Sequence, residues 1–229
     1  MKINRYFDAA VLKPEMTEKE VREAIQTCID CESYSVCVRP CDIDLAMSMC
    51  QGTNTVVSCV LDFPHGDSTA EGKAALAQIY AAKGVAEIDM VMNYGYARSG
   101  KWDEVKEGIE TVVKVAHEYN VDVKVIFESC LLTTEQIAKA TEICIEAGAD
   151  FVKTSTGFSL SGASDEAVQT MLNTSAGRIK VKPSGGIRDY EKAKKFVDMG
   201  VDRLGIGFGS AQTICSGEKP QSESSTSDY

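Results

Sequence analysis

Two hydrophobic periods alternate along this chain from end to end. Short apolar runs, rich in β-branched residues, fall at positions 7–12, 34–38, 56–61, 87–92, 123–128, 150–154, 179–182 and 203–206. Their brevity and the turn residues flanking them predict buried strands. Longer stretches with apolar residues at helical spacing lie between them, at roughly 17–30, 41–50, 69–83, 103–118, 133–147, 164–173 and 189–199, with a short one at 210–215. Helix punctuation agrees. Thr133-Thr134-Glu135-Gln136 has the form of a capping box, Asp165 and Glu166 place acids in a first turn, and Gly84, Gly148 and Gly200 follow helices as C-terminal glycines do.

Eight βα units predict an α/β chain whose residues 1–216 form a single (β/α)8 TIM barrel. A doubly wound sheet is the competing architecture, but it carries a Gly-rich dinucleotide loop after its first strand, and FDAAVLKPEMT contains none. Residues 217–229 are polar, serine-rich and without periodicity, and read as a flexible tail.

Composition narrows the chemistry. The net charge of −10 excludes a nucleic-acid backbone as partner, since that needs a basic face. The opening MKINRYFDAAVLK has no apolar run suited to a signal peptide or a membrane span, so a cytoplasmic protein with no membrane partner is expected. An odd count of nine cysteines, with no secretion signal, points to reduced thiols. Cys28 and Cys31 form a CxxC followed by Cys37 and Cys41. Without a second CxxC or a nearby histidine, a zinc or redox site is the weaker reading. The two histidines, His65 and His117, leave little material for a Ser-His-Asp triad or a histidine metal site. Neither metal nor cofactor is expected, and acid–base chemistry falls to carboxylates, lysines and tyrosines.

A TIM barrel builds its active site at the C-terminal ends of its strands. Those ends hold Asp8, Cys37, Asp62 with Pro64-His65-Gly66, Asp89, Glu128, Lys153, Lys182 and Gly205. A lysine closing an apolar strand is desolvated, which favours its neutral form, and a neighbouring cation favours it further. Lys153 and Lys182, on consecutive strands, fit an amine nucleophile and its perturbing cation. They equally fit lysines that snorkel to solvent or pair structurally with acids. Glycine-containing turns at Thr156-Gly157, Ser184-Gly185-Gly186 and 205–209, with Arg188 nearby, suit a phosphate site built from backbone N–H groups, or simple turn geometry.

The stretches SVCV-x-P, FPHG, EIDMVMN-x-G, KVIFESCLL, AGADFVKTSTGFS, VKPSGGIRD and RLGIG resemble the deoxyribose-phosphate aldolase family over nearly the whole chain. The resemblance implies a metal-free class I aldolase on a (β/α)8 barrel. Such an enzyme joins acetaldehyde reversibly to glyceraldehyde 3-phosphate, giving 2-deoxyribose 5-phosphate, in the degradation of that sugar phosphate. It further implies Lys153 as the Schiff-base lysine, Lys182 as the lysine that perturbs it, and Asp89 as an acid relaying protons through water. Asp8 and Cys37 match positions lining the substrate site, and Gly157, Gly185, Gly186, Arg188 and Gly205 match the phosphate loops. Tyr229 matches a terminal tyrosine that reaches the active site in some members. A homodimer is the candidate assembly.

The sequence also departs from the family pattern. Ala10 replaces a hydroxyl-bearing residue, Gly207-Phe208 stand where a serine pair is usual, Asp62 replaces a glycine, and Lys180 replaces a small residue. A paralogous aldolase with another acceptor therefore stays in view, as does a non-catalytic sugar-phosphate-binding barrel. Strand alternation puts Lys180 on the face of Lys182, and shared side-chain layers could bring it to Asp62 across the barrel. The two are expected either to pair there or to face the helices.

Overall fold

The computed structural model describes residues 2–217. Eight parallel strands form one sheet: β1 Phe7–Val11, β2 Ser35–Val38, β3 Val56–Leu61, β4 Glu87–Val91, β5 Asp122–Ile126, β6 Phe151–Lys153, β7 Lys180–Lys182 and β8 Leu204–Gly207. From β1 to β7 each strand pairs with the next in the chain, and β1 also pairs with β8, so the sheet curls into a barrel. The β7–β8 seam closes by a single bridge, Ser184 to Gly205, in place of a continuous ladder. Backbone bonds outside the strands reinforce it, from Gly205 N–H to Pro183 O (2.8 Å) and from Asp202 N–H to Val181 O (3.0 Å).

The helices are α1 Glu18–Asp30, α2 Ile43–Cys50, α3 Ala70–Ala81, α4 Tyr94–Arg98, α5 Trp102–Glu118, α6 Thr134–Glu146, α7 Asp165–Ser175, α8 Tyr190–Asp198 and α9 Ala211–Ser216. The expected capping box is formed at Thr133 and Gln136, and a second one closes on Thr17 and Glu20. The short α4, an extra turn between β4 and α5, has no counterpart in the sequence reading. Asn93 starts it by accepting the Tyr96 N–H (2.9 Å). Five residues are too few to show a helical period.

Ile88, Met90, Val123, Val125, Val152 and Val181 lie on the outer wall of the barrel, in one continuous apolar core with helix residues such as Ile109, Val112 and Val113. This layer is what the strand periodicity detects. The alternate residues point inward, and many of them carry charge.

Asp62 and Lys180 do not meet. Strand alternation holds, but the two residues lie at opposite ends of the barrel: Asp62 follows the last residue of β3, and Lys180 is the first residue of β7. Asp62 accepts from Ser68 N–H (3.0 Å) and Ser68 Oγ (2.7 Å), and pairs with buried Lys73 at 2.8 Å. Lys180 sits exposed at the lower rim, 4.6 Å above the Phe151 ring and 3.8 Å from Asp122. Neither charge faces the chemistry at the mouth.

Candidate active site

The inward-facing positions bring together a column of buried charges. Asp8 comes from β1, Glu87 and Asp89 from β4, Lys124 from β5, Lys153 from β6, Lys182 from β7, and Arg203 from the residue before β8. Cross-strand register stacks them. Ile126 stands opposite Lys153, Lys153 opposite Lys182, and Asp89 opposite Lys124.

At the upper level both catalytic-candidate lysines converge on one carboxylate oxygen. Asp89 Oδ2 lies 2.8 Å from Lys153 Nζ and 2.7 Å from Lys182 Nζ, and Asp89 Oδ1 lies 2.9 Å from Lys124 Nζ. Below, Lys124 Nζ also contacts Glu87 Oε2 (2.5 Å) and Asp8 Oδ2 (3.2 Å), and Lys182 Nζ reaches Asp8 Oδ2 (2.6 Å). At the floor, Arg203 bridges Asp8 (2.6 Å) and Glu87 (3.0 Å) and stacks 3.5 Å from the centre of the Tyr34 ring.

The charges hold one another ionised. Burial pushes the Asp89 carboxyl up, but Lys124, Lys153 and Lys182 outweigh it and hold the group well below the usual carboxylate range. Asp8 follows the same logic, with burial overcome by Lys124, Lys182 and Arg203. Burial pulls the Lys124 ammonium down, yet Asp8, Asp89 and Glu87 together hold it well above its ordinary value. Cys37, buried beside the lysines, is a neutral thiol, because burial pushes its pKa up.

Polar strand ends ring the mouth. Glu128, in the left-handed region at φ 53°, accepts from the Thr156 hydroxyl and from its backbone N–H (3.4 Å), and burial pushes its carboxyl up. The turn glycines Gly157, Gly185 and Gly186 have φ of 88°, 83° and 70°, so their conformation demands glycine whatever else they do. Ala10, Leu12, Cys37, Val60 and Phe63 form a separate apolar cluster, and Phe63 meets Phe158 edge to face at 5.3 Å.

The column thus unites Asp8, Asp89, Lys153 and Lys182, all found from sequence. Asp8 is 1% exposed and ion-paired on both oxygens, which makes it a charge partner beneath the lysines. Gly205 commits its N–H to Pro183 O. Its missing side chain matters for packing, because a Cβ there would stand 2.4 Å from Ser184 Cβ and 3.2 Å from Lys182 Cε. Arg188 is exposed beyond the Gly185-Gly186 turn. Phe208 lines a groove with Lys13, Met16 and α1 residues. Tyr229 lies outside the described residues.

Sequence reading missed Lys124, Glu87 and Arg203. The signal was present: in EIDMV and DVKVI the charged residues recur at every second position of otherwise apolar strands, which marks an inward face. Attention to strand ends alone passed over it.

Comparison with known proteins places the chain in a family. Residues 3–217 match the family described as DeoC/LacD family aldolase. The chain is 44% identical to the deoxyribose-phosphate aldolase of Clostridium tetani over 91% of this chain and 96% of that one. It is 42% identical to the deoxyribose-phosphate aldolase of Lactiplantibacillus plantarum, covering 92% and 98%. Among solved structures, one titled QR15, an aldolase, superposes with a TM-score of 0.88 at 39% identity, covering 94% of this chain and 95% of its own. A barrel with paired buried lysines at its mouth, matched over nearly all of its length, belongs to the DeoC/LacD family of aldolases.

Proposed function

We propose that this aldolase is a deoxyribose-phosphate aldolase, cleaving 2-deoxyribose 5-phosphate reversibly to acetaldehyde and glyceraldehyde 3-phosphate through a Schiff base on Lys153. The observation that carries the reading is the sharing of Asp89 Oδ2 by Lys153 and Lys182, at 2.8 and 2.7 Å. Two ammonium groups on one carboxylate oxygen repel each other, and loss of a proton from one relieves the repulsion and frees a nucleophilic amine.

In the synthetic direction the neutral Lys153 amine adds to the carbonyl carbon of acetaldehyde, and the oxygen leaves as water to give an iminium. The cation sits where the ammonium stood, against Asp89, so its charge is met without reorganisation. Loss of a Cα proton gives the enamine. Asp89, whose own proton affinity is low, relays that proton through water and does not hold it. The enamine carbon then attacks the acceptor aldehyde, and hydrolysis releases product and amine. Gly157, Gly185, Gly186 and Arg188 are proposed to receive the phosphate, and Cys37 to border the donor aldehyde. Tyr229 is proposed to assist proton transfer, and removal of residues 218–229 should slow exchange of the donor Cα protons with solvent. The nine cysteines are free thiols, which suits a cytoplasmic location.

Borohydride reduction in the presence of acetaldehyde should label Lys153 alone, read by peptide mass spectrometry. Lys153→Ala should reduce turnover to background while the far-UV spectrum stays unchanged. A label on Lys182 with Lys153 intact overturns the assignment.

A further inference from the structure

The ion-paired column carries one more cation than anion, and Glu128, buried at the mouth and bonded to Thr156, stands outside those pairs. Asp8, Glu87 and Asp89 supply three anions; Lys124, Lys153, Lys182 and Arg203 supply four cations. All seven are at most 6% exposed. An enclosed net charge is costly, and release of one proton cancels it. The geometry ranks which cation can yield. Arg203 cannot, since a guanidinium keeps its proton in proteins. Lys124 touches three carboxylates, those of Asp8, Glu87 and Asp89. Lys182 touches two, Asp8 and Asp89. Among the described residues Lys153 pairs with Asp89 alone, and it is the cation at the mouth.

We propose that Arg203 and Glu87, at the barrel floor and out of reach of substrate, are positioning residues that set the interior charge so that Lys153 is the lysine that yields its proton. This rests on Lys153 being the amine nucleophile. Arg203 supplies the surplus cation. Glu87 draws Lys124 downward and shares its charge, leaving Asp89 to the two upper lysines.

The groups facing Lys153 are Asp89 from β4, Lys182 from β7, Lys124 from β5, Cys37 from β2 and Glu128 beyond β5. Asp8 from β1 faces it through Lys182. Cys37 stays a thiol. Glu128 is bonded to Thr156 and forms no ion pair with Lys153, and it is the same in every variant compared below.

The test is the rate of reductive trapping of acetaldehyde by cyanoborohydride on the full chain, measured against pH. Nζ adds to the carbonyl carbon, the C–O bond breaks as water leaves, and hydride adds to the iminium carbon to leave N-ethyl-lysine. Arg203→Met removes the surplus cation and should move the acidic limb of the rate to higher pH by on the order of one unit. Glu87→Gln, nearly isosteric, should move it to lower pH by a similar amount. Arg203→Lys and the double variant Glu87→Gln/Arg203→Met, which preserve the charge sum, should leave the limb near its wild-type position. Rates that fall at every pH with the limb unmoved mean a merely structural role and overturn the proposal. If Arg203→Met does not fold, Glu87→Gln decides alone by whether its limb moves down. Absence of label on Lys153 in the wild-type chain overturns the underlying reading, and is distinguishable because it precedes any comparison of variants.

Discussion

The two faces of the barrel wall come from the same strands and follow opposite rules. Outside, Ile88, Met90, Val123 and Val125 pack against helices, and their stabilisation is burial of apolar surface. Inside, Glu87, Asp89, Lys124 and Lys182 are equally buried, and they persist because each has an oppositely charged partner. The outer face tolerates small changes of shape. The inner face is a single network in which removing one member leaves its partners with one ion pair fewer. Stability and chemistry are thereby separated by about the thickness of a strand.

The largest break in that separation comes from Lys124→Met. It takes an ion-pair partner from Asp8, Glu87 and Asp89 at once, and loss of one partner of a buried network typically costs about 3–5 kcal/mol. Urea denaturation should show that loss, and activity should fall with it. Gly205→Ala comes next. The added methyl meets Ser184 Cβ at 2.4 Å and crowds Lys182 Cε, so overpacking of roughly 1–3 kcal/mol should come with a loss of kcat larger than any change in KM. On the outer face, Ile88→Val should cost about 0.5–1.5 kcal/mol by the same measurement and leave kcat and KM intact. Lys180→Ala, which removes an exposed 3.8 Å pair with Asp122 at the lower rim, should change stability by less than about 1 kcal/mol and activity not at all.

Acidity sharpens the same contrast. Asp8 and Asp89 are held below the ordinary carboxylate value of about 4, so the stability they add is complete above that pH. It is withdrawn as pH falls toward their folded values. Lys124 is held above the ordinary lysine value of about 10.4, so its contribution is complete below that pH and lost as pH rises beyond it. With Lys153 replaced by alanine, so that its own proton exchange does not enter, unfolding free energy should therefore be flat between about pH 5 and 9 and fall on either side. A steep change inside that window, measured by urea denaturation, would contradict the pairing pattern.

Much of this was legible in the chain. The alternation of short apolar runs with helical stretches determined the eight-stranded barrel, because the outer wall and the helices that cover it are local patterns of periods two and 3.6. GADFVKTSTGFS and EIDMV marked Lys153 and Asp89, since charges embedded in apolar strands rarely lack a purpose. Alternation also put Lys180 correctly on the face of Lys182, but only the fold showed that two residues of rise along β7 separate the exposed floor from the mouth. The partnership of Asp62 with Lys73, the retreat of Asp8 beneath the lysines, and the meeting of Arg203 with Glu87 were likewise decided by tertiary structure alone. Strand alternation states which face a side chain takes. The depth at which side chains from different strands meet depends on the stagger of those strands around the closed barrel, and no local pattern in the sequence encodes it.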